Sequence, residues 1–121
     1  MEAKMKLEGT GKLLRIFIGE DDHIDKKPLY QVFVKRAREV GMAGATVLRG
    51  VESFGAGSII HTARLLELSE DLPFVIEIVD TEEKIDEFLP IVEELFEKAG
   101  CGGMITSEKV NVIHYTHGRN P

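Results

Sequence analysis

The order of apolar patterns along this chain predicts an α+β sandwich, a four-stranded antiparallel sheet with two helices on one face. Three observations lead there. Strand-type runs occupy residues 12–20, 45–51 and 74–79, and a fourth lies within 104–115. Apolar residues at helical spacing fill the first and last of the gaps between them. The resulting order is strand, helix, strand, strand, helix, strand. Two split βαβ units on one sheet make the ferredoxin-like βαββαβ arrangement. Right-handed crossovers then put the first and third strands at the centre.

Each element has its own warrant. In residues 12–20, Leu14, Ile16 and Ile18 alternate with Leu13, Arg15 and Phe17, giving one apolar face and one mixed face. Glu20, Asp21, Asp22 and His23 follow as a charged, solvated loop. Pro28 suits the first turn of a helix, where a missing N–H costs nothing. Leu29, Val32, Phe33, Ala37 and Val40 form its apolar stripe, and Gly41 stops it. In the second strand Val47 and Val51 share a face with Arg49, and Leu48 points the other way. Residues 59–72 are too apolar for a free loop, and a short helix, a flap or an extended hairpin all fit them. Residues 74–79 are the most β-prone run and are apolar at nearly every position, as a central strand would be. Asp80 is placed to cap the second helix with Glu83 as its capping-box partner. Pro90, inside that helix, is expected to kink or divide it. Residues 1–11 and 116–121 read as loose segments flanking one domain over 12–115. The outer sheet face carries Leu13, Phe17, Val75 or Ile76, and Ile113, so a further layer should cover it, most economically other copies of the chain.

Composition narrows the function. The chain has 121 residues with 43% hydrophobic and 30% charged content, ordinary for one globular domain. A net charge of −6 argues against nucleic acid, whose backbone needs an electropositive face. No apolar run is long enough to span a bilayer, so no direct membrane insertion is expected. The single cysteine, Cys101, cannot form an internal disulfide, which reads as cytoplasmic. Gln31, Asn111 and Asn120 are the chain's only side-chain amides among many Glu and Lys, a bias of heat-adapted proteins.

Two glycine clusters carry the chemistry. The first runs from Arg49 and Gly50 through Phe54, Gly55 and Gly57 to Ser58, with His61 shortly after. The second is Gly100, Cys101, Gly102 and Gly103. Glycine lets backbone N–H groups approach an anion closely, and an adjacent Arg can hold a phosphate. The plainer reading of the first cluster is a mobile hairpin connection with Arg49 as a surface cation. Phe54 could stack on a base or cover the open sheet face. His61 could meet a phosphate or bond its own loop. Arg64 pairs more naturally with Glu67. Lys109 and Arg119 are candidate cations from an adjacent subunit. Cys101 has no His or second Cys beside it, so no redox or nucleophilic role is expected. His114 and His117 could chelate a metal only if the chain turned between them.

In sequence, the stretches LLRIFIGE, VKRAREVGMAGATVLRGVESFGAGS, IHTARLLELSEDLPFVIEIVD, EKAGCGGM and EKVNVI follow one another over about nine tenths of the chain. In this it resembles the PII-like signalling proteins, specifically their small uncharacterised branch. The resemblance implies a homotrimer with clefts between subunits and an adenine nucleotide in each cleft, as in the better-known relatives. Residues 50–58 of one subunit and 100–104 of its neighbour match the loops that hold it. It also implies that the first loop changes shape with the effector and docks on a membrane transporter, enzyme or regulatory protein. No tightly bound cofactor is implied. This chain departs from the well-studied branch in a short loop without tyrosine, so uridylylation is not expected. The run CGGMITSEK has no cation before Lys109, which, among AMP, cyclic AMP, ADP and ATP, speaks against the triphosphate and favours a less charged effector such as a mononucleotide or cyclic nucleotide. Two other classes stay open: a divalent-metal-handling trimer using His61, His114, His117 and residues 20–22, and a ferredoxin-like enzyme. For the latter, no convergent acid–base set is visible.

Overall fold

The computed structural model describes residues 7–54, 60–62, 72–116 and 118; of 52–54 and 60–62 it describes the backbone alone. Strand β1 (Gly9–Gly19) is followed by a two-residue hairpin, β2 (His23–Ile24) and β3 (Lys27–Pro28), and helix α1 (Leu29–Glu39). Next come β4 (Thr46–Arg49), β5 (Glu52–Phe54), β6 (Ile60–Thr62) and β7 (Pro73–Asp80). Helix α2 (Glu82–Ala99) and strand β8 (Met104–Val112) complete the domain. The main sheet has the order β4-β7-β1-β8 and is antiparallel throughout. This is the ferredoxin-like order, with the expected first and third strands central.

Both helices pack on the same side of the sheet. Leu14, Ile16 and Ile18 of β1 and Phe74, Ile76 and Ile78 of β7 share one core with Leu29, Phe33 and Ala37 of α1 and Ile85, Phe88, Val92 and Leu95 of α2. Tyr30 meets Phe74 edge-on at 4.7 Å between ring centroids, and Phe33 lies 5.7 Å from Phe96. Ile76 therefore belongs to the core, and Val75 to the outer face.

Several boundaries differ from the sequence reading, each for a local reason. Residues 7–11 are not loose: Leu7 is buried, and β1 begins at Gly9 because β8 pairs with it as far as Val112. A Cβ on Gly11 would lie 2.8 Å from the Asp80 carbonyl, so the strands meet there only through glycine. Strand β4 stops at Arg49 rather than Val51, because its partner β7 begins at Pro73; Val51 is exposed. Strand β8 ends at Val112, where β1 runs out, leaving Ile113 exposed. Val40 caps α1 instead of packing, and Gly41 follows in the left-handed region at φ +81°.

Helix α2 is continuous through Pro90. Buried residues on both sides of it, Ile85 and Phe88 before and Val92 and Leu95 after, enter the same core. That burial offsets the roughly 3 kcal/mol a helical proline costs. The cap of α2 is Thr81, which accepts from the Lys84 N–H at 3.2 Å, not Asp80. Asp80 is buried and serves as a clasp. Its carboxylate accepts from the Thr81 N–H at 2.7 Å and, across the fold, from the Ala43 N–H at 2.8 Å. Lys84 donates to the Gly41 carbonyl and Tyr115 to that of Ala43, so the turn after α1 is pinned from three sides. Lys12 donates to Asp86 at 2.7 Å, a bond that holds its ammonium pKa above the ordinary value.

Candidate functional site

The chain brings Gly50, at the start of the first glycine cluster, and residues 100–103 to one end of the sheet. Strand β1 finishes there, with Gly19 opposite Pro73 and Phe17 opposite Met104. Gly50 lies at the β4 edge of that end, and residues 100–103 lead into β8 at the other edge. Three strand spacings separate the two edges, about 14 Å.

At the β4 edge the geometry is closely tied. The Gly50 N–H donates to the Pro73 carbonyl at 2.7 Å, and a Cβ at Gly50 would lie 2.6 Å from the proline ring. Close approach, not a left-handed turn, requires this glycine. The Arg49 guanidinium donates from one nitrogen, Nη2, to both carboxylate oxygens of Glu20, at 3.1 and 3.2 Å. Glu20 also exchanges backbone and side-chain bonds with Leu72: its N–H donates to the Leu72 carbonyl at 2.7 Å, and its carboxylate accepts from the Leu72 N–H at 3.4 Å. A single acidic residue thus holds both ends of the 50–72 excursion. Beyond it, β5 and β6 pair as an antiparallel hairpin, with Ser53 opposite His61 and Phe54 opposite Ile60. Of the readings for residues 59–72, the hairpin holds at 60–62. The side chains of Phe54 and His61, and residues Gly55, Gly57, Ser58, Arg64, His117 and Arg119, lie outside the described residues.

At the β8 edge, Gly100 closes α2 in the left-handed region at φ +67°, its N–H donating to Phe96. A Cβ on Gly103 would strike the Phe96 ring and the Phe17 carbonyl, whereas one on Gly102 would meet open space. Cys101 lies beside Asp22. Burial, with the neighbouring carboxylate adding to it, pushes the thiol pKa up to about 11. The shift keeps the thiol protonated at neutral pH.

Lys109 is not at this end. It sits five residues further along β8 opposite Lys12, about 17 Å from Met104, with its ammonium 4.0 Å from Glu82. Within one chain, the structure joins Arg49 and Gly50 to the end of β1 and leaves Lys109 apart. His114 lies 3.9 Å from Glu8.

The sequence reading missed the part played by the acidic loop. Glu20 clasps Arg49, and the Asp22 carboxylate accepts from the Gly19 N–H at 2.8 Å while its backbone bonds Gly19 and Leu29. The signal was available in Asp22, three residues after a glycine, in a position for its short carboxylate to bond back to the backbone three residues earlier. These carboxylates lie between the two glycine clusters, so an anion entering here must displace or neutralise them.

The outer face has its own order. Leu48, Val75, Phe17 and Met104 form one apolar row across all four strands, and Leu48 and Met104 are exposed. The next row holds Thr46, Glu77, Arg15 and Thr106, where Arg15 pairs with Glu77 at 3.0 Å and reaches Glu108 at 3.8 Å.

Fold and strand order together define a ferredoxin-like α+β domain. A family model described as DUF190, an uncharacterized ACR, matches residues 11–112. The protein belongs to that family, an uncharacterised PII-like branch. It is 45% identical over 103 residues to a UPF0166 protein of Aquifex aeolicus, covering 85% of this chain and 93% of that one. A second Aquifex aeolicus UPF0166 protein is 33% identical over 100 residues, covering 83% and 94% of the two chains. A UPF0166 protein of Methanocaldococcus jannaschii is 33% identical over 89 residues, covering 74% and 82%. Among the described residues, no helix is long and apolar enough to cross a membrane.

Proposed function

We propose that the protein is a non-catalytic regulator. In this reading it binds a small adenine-nucleotide effector between copies of itself and signals through the segment after β4 to a transporter or regulatory protein. The observation that carries the reading is the position of Gly50 and of residues 100–103: the same end of the sheet, opposite edges, about 14 Å apart. That span is wide for the phosphate of one mononucleotide to touch both clusters of a single chain. The β4 edge of one copy set against the β8 edge of the next closes the distance. The apolar row Leu48, Val75, Phe17 and Met104 supports assembly, because a face of that kind is covered in a stable protein. A trimer is the assembly the PII-like relationship favours. Arg49 is the phosphate ligand, and Glu20 is the partner it gives up on binding. The cost of breaking that pair is small, since exposed ion pairs contribute only about 0–1 kcal/mol.

Calorimetry with AMP, cyclic AMP, ADP and ATP tests the reading, alongside light scattering for the assembled mass. A trimeric mass and heat with at least one nucleotide, lost in Arg49→Ala, are expected. No heat from any of the four at millimolar concentration removes the nucleotide from the proposal.

A further inference from the structure

Away from the glycine clusters, a groove of about 390 Å³ opens between α1, α2 and the β2–β3 hairpin. Each of the three elements gives it one apolar residue and one cation at neighbouring spacing. Ile24 and Lys27 are cross-strand partners on one side of the hairpin. Val32 and Arg36 are four residues apart on α1, and Leu95 and Lys98 three apart on α2, so each pair shares a helix face. Leu95 is buried and forms the floor, while Lys27 and Lys98 are exposed at the rim.

We propose that this groove docks a short acidic segment of a partner protein, seating an apolar side chain on Ile24, Val32 and Leu95 between carboxylates held by Lys27, Arg36 and Lys98. Charge complementarity is the first argument. The chain has 21 acidic and 15 basic residues, yet the groove gathers three cations against one carboxylate, Asp25. Among the described residues Lys27 and Lys98 have no ion pair, and Arg36 reaches only Glu39, at 3.7 Å. The backbone gives the second argument. The hairpin tip places Asp25 at φ +50° and Lys26 at φ +71°, a turn that favours Asn-Gly over these residues. Strain of that kind is kept where surrounding structure and use maintain it, and here it sets Ile24 beside Lys27 over the groove. The exposed Glu93, Glu94 and Glu97 on α2 give the third. They stand on the same helix as Leu95 and Lys98 but outside the groove's lining, so the cationic surface is short along α2, which suits a short segment better than a long polyanion or an anionic membrane.

The test uses the full chain and a fluorescein-labelled peptide, acetyl-Glu-Glu-Leu-Glu-Glu-Leu-amide, followed by anisotropy at low salt. Binding is expected to fall at least tenfold in Lys27→Glu/Lys98→Glu and when both peptide leucines become serine, with Tm of the variant kept within a few degrees. Amide shift changes on titration are expected to centre on residues 24–36 and 95–98. Lys27→Gln alone, a smaller change, is expected to weaken binding severalfold. Equal binding of a peptide with Gln for every Glu overturns the proposal, as does unchanged affinity in the double variant. Binding of octanoate in the groove without binding of the peptide overturns it in favour of a small organic acid.

Discussion

The two faces of the main sheet are built from the same four strands and differ in almost every other respect. Across the helix side run Val47, Ile76, Ile16 and Ile105, of which Ile76 and Ile16 have no exposure at all. One residue along, the outer side presents Leu48, Val75, Phe17 and Met104, with Leu48 at 47% and Met104 at 55% exposed. Both rows are apolar. The inner row is finished within the chain, and the outer row has no covering layer among the described residues. Apolar content therefore reports that a face will be buried, and only the topology reports by what.

The largest effect expected from breaking this contrast is on the inner row. Ile16→Ala should cost about 2–5 kcal/mol in urea unfolding, because it leaves a cavity at a fully buried site. If Phe17→Ala, one residue away, cost the monomer as much, the contrast between the faces would be wrong.

Gly103→Ala comes next. Its methyl would press on Phe96 and the Phe17 carbonyl, costing about 1–3 kcal/mol, whereas Gly102→Ala meets open space and should change unfolding by under about 0.5 kcal/mol. Asp80→Ala strands the Ala43 N–H and should cost about 1–3 kcal/mol by the same measurement.

On the outer side, Leu48→Glu/Met104→Glu should lower the assembled mass in light scattering while shifting unfolding of the isolated fold by about 0.5 kcal/mol or less. The smallest effect is chemical. With its pKa raised to about 11, Cys101 should alkylate on the order of a hundredfold more slowly at pH 8 than a free thiol, and Asp22→Asn should speed it. Because the folded value is the raised one, the associated stability is present at neutral pH and is lost as pH rises through about 11.

The parts of the fold visible in sequence are those governed by periodicity. The alternation of residues 14, 16 and 18 and the stripe from Ile85 to Leu95 each specify a face by themselves, and both faces are where they were expected. Boundaries were less legible, because a strand ends where its partner ends: Arg49 and Val112 stop β4 and β8 for reasons held by Pro73 and Gly9. Pro90 misled because its cost is local and the offsetting burial comes from residues on both sides. Asp80 misled because a capping box and a cross-fold clasp begin with the same residue type. At the candidate site, the glycine clusters were visible as composition. The reasons for Gly50 and Gly103 were not, since Pro73, Phe96 and Phe17 are distant in sequence. The Glu20–Arg49 pair spans 29 residues and left no local trace.

The bond from Gly50 to Pro73, reinforced by Glu20, means that the intervening polypeptide departs and returns through one doorway. Hardware beyond a doorway can be exchanged without rebuilding the room. Residues 51–71 should be replaceable by a short turn while the sheet and both helices still fold. Relatives can then alter the length and chemistry of that appendage independently of the domain that carries it.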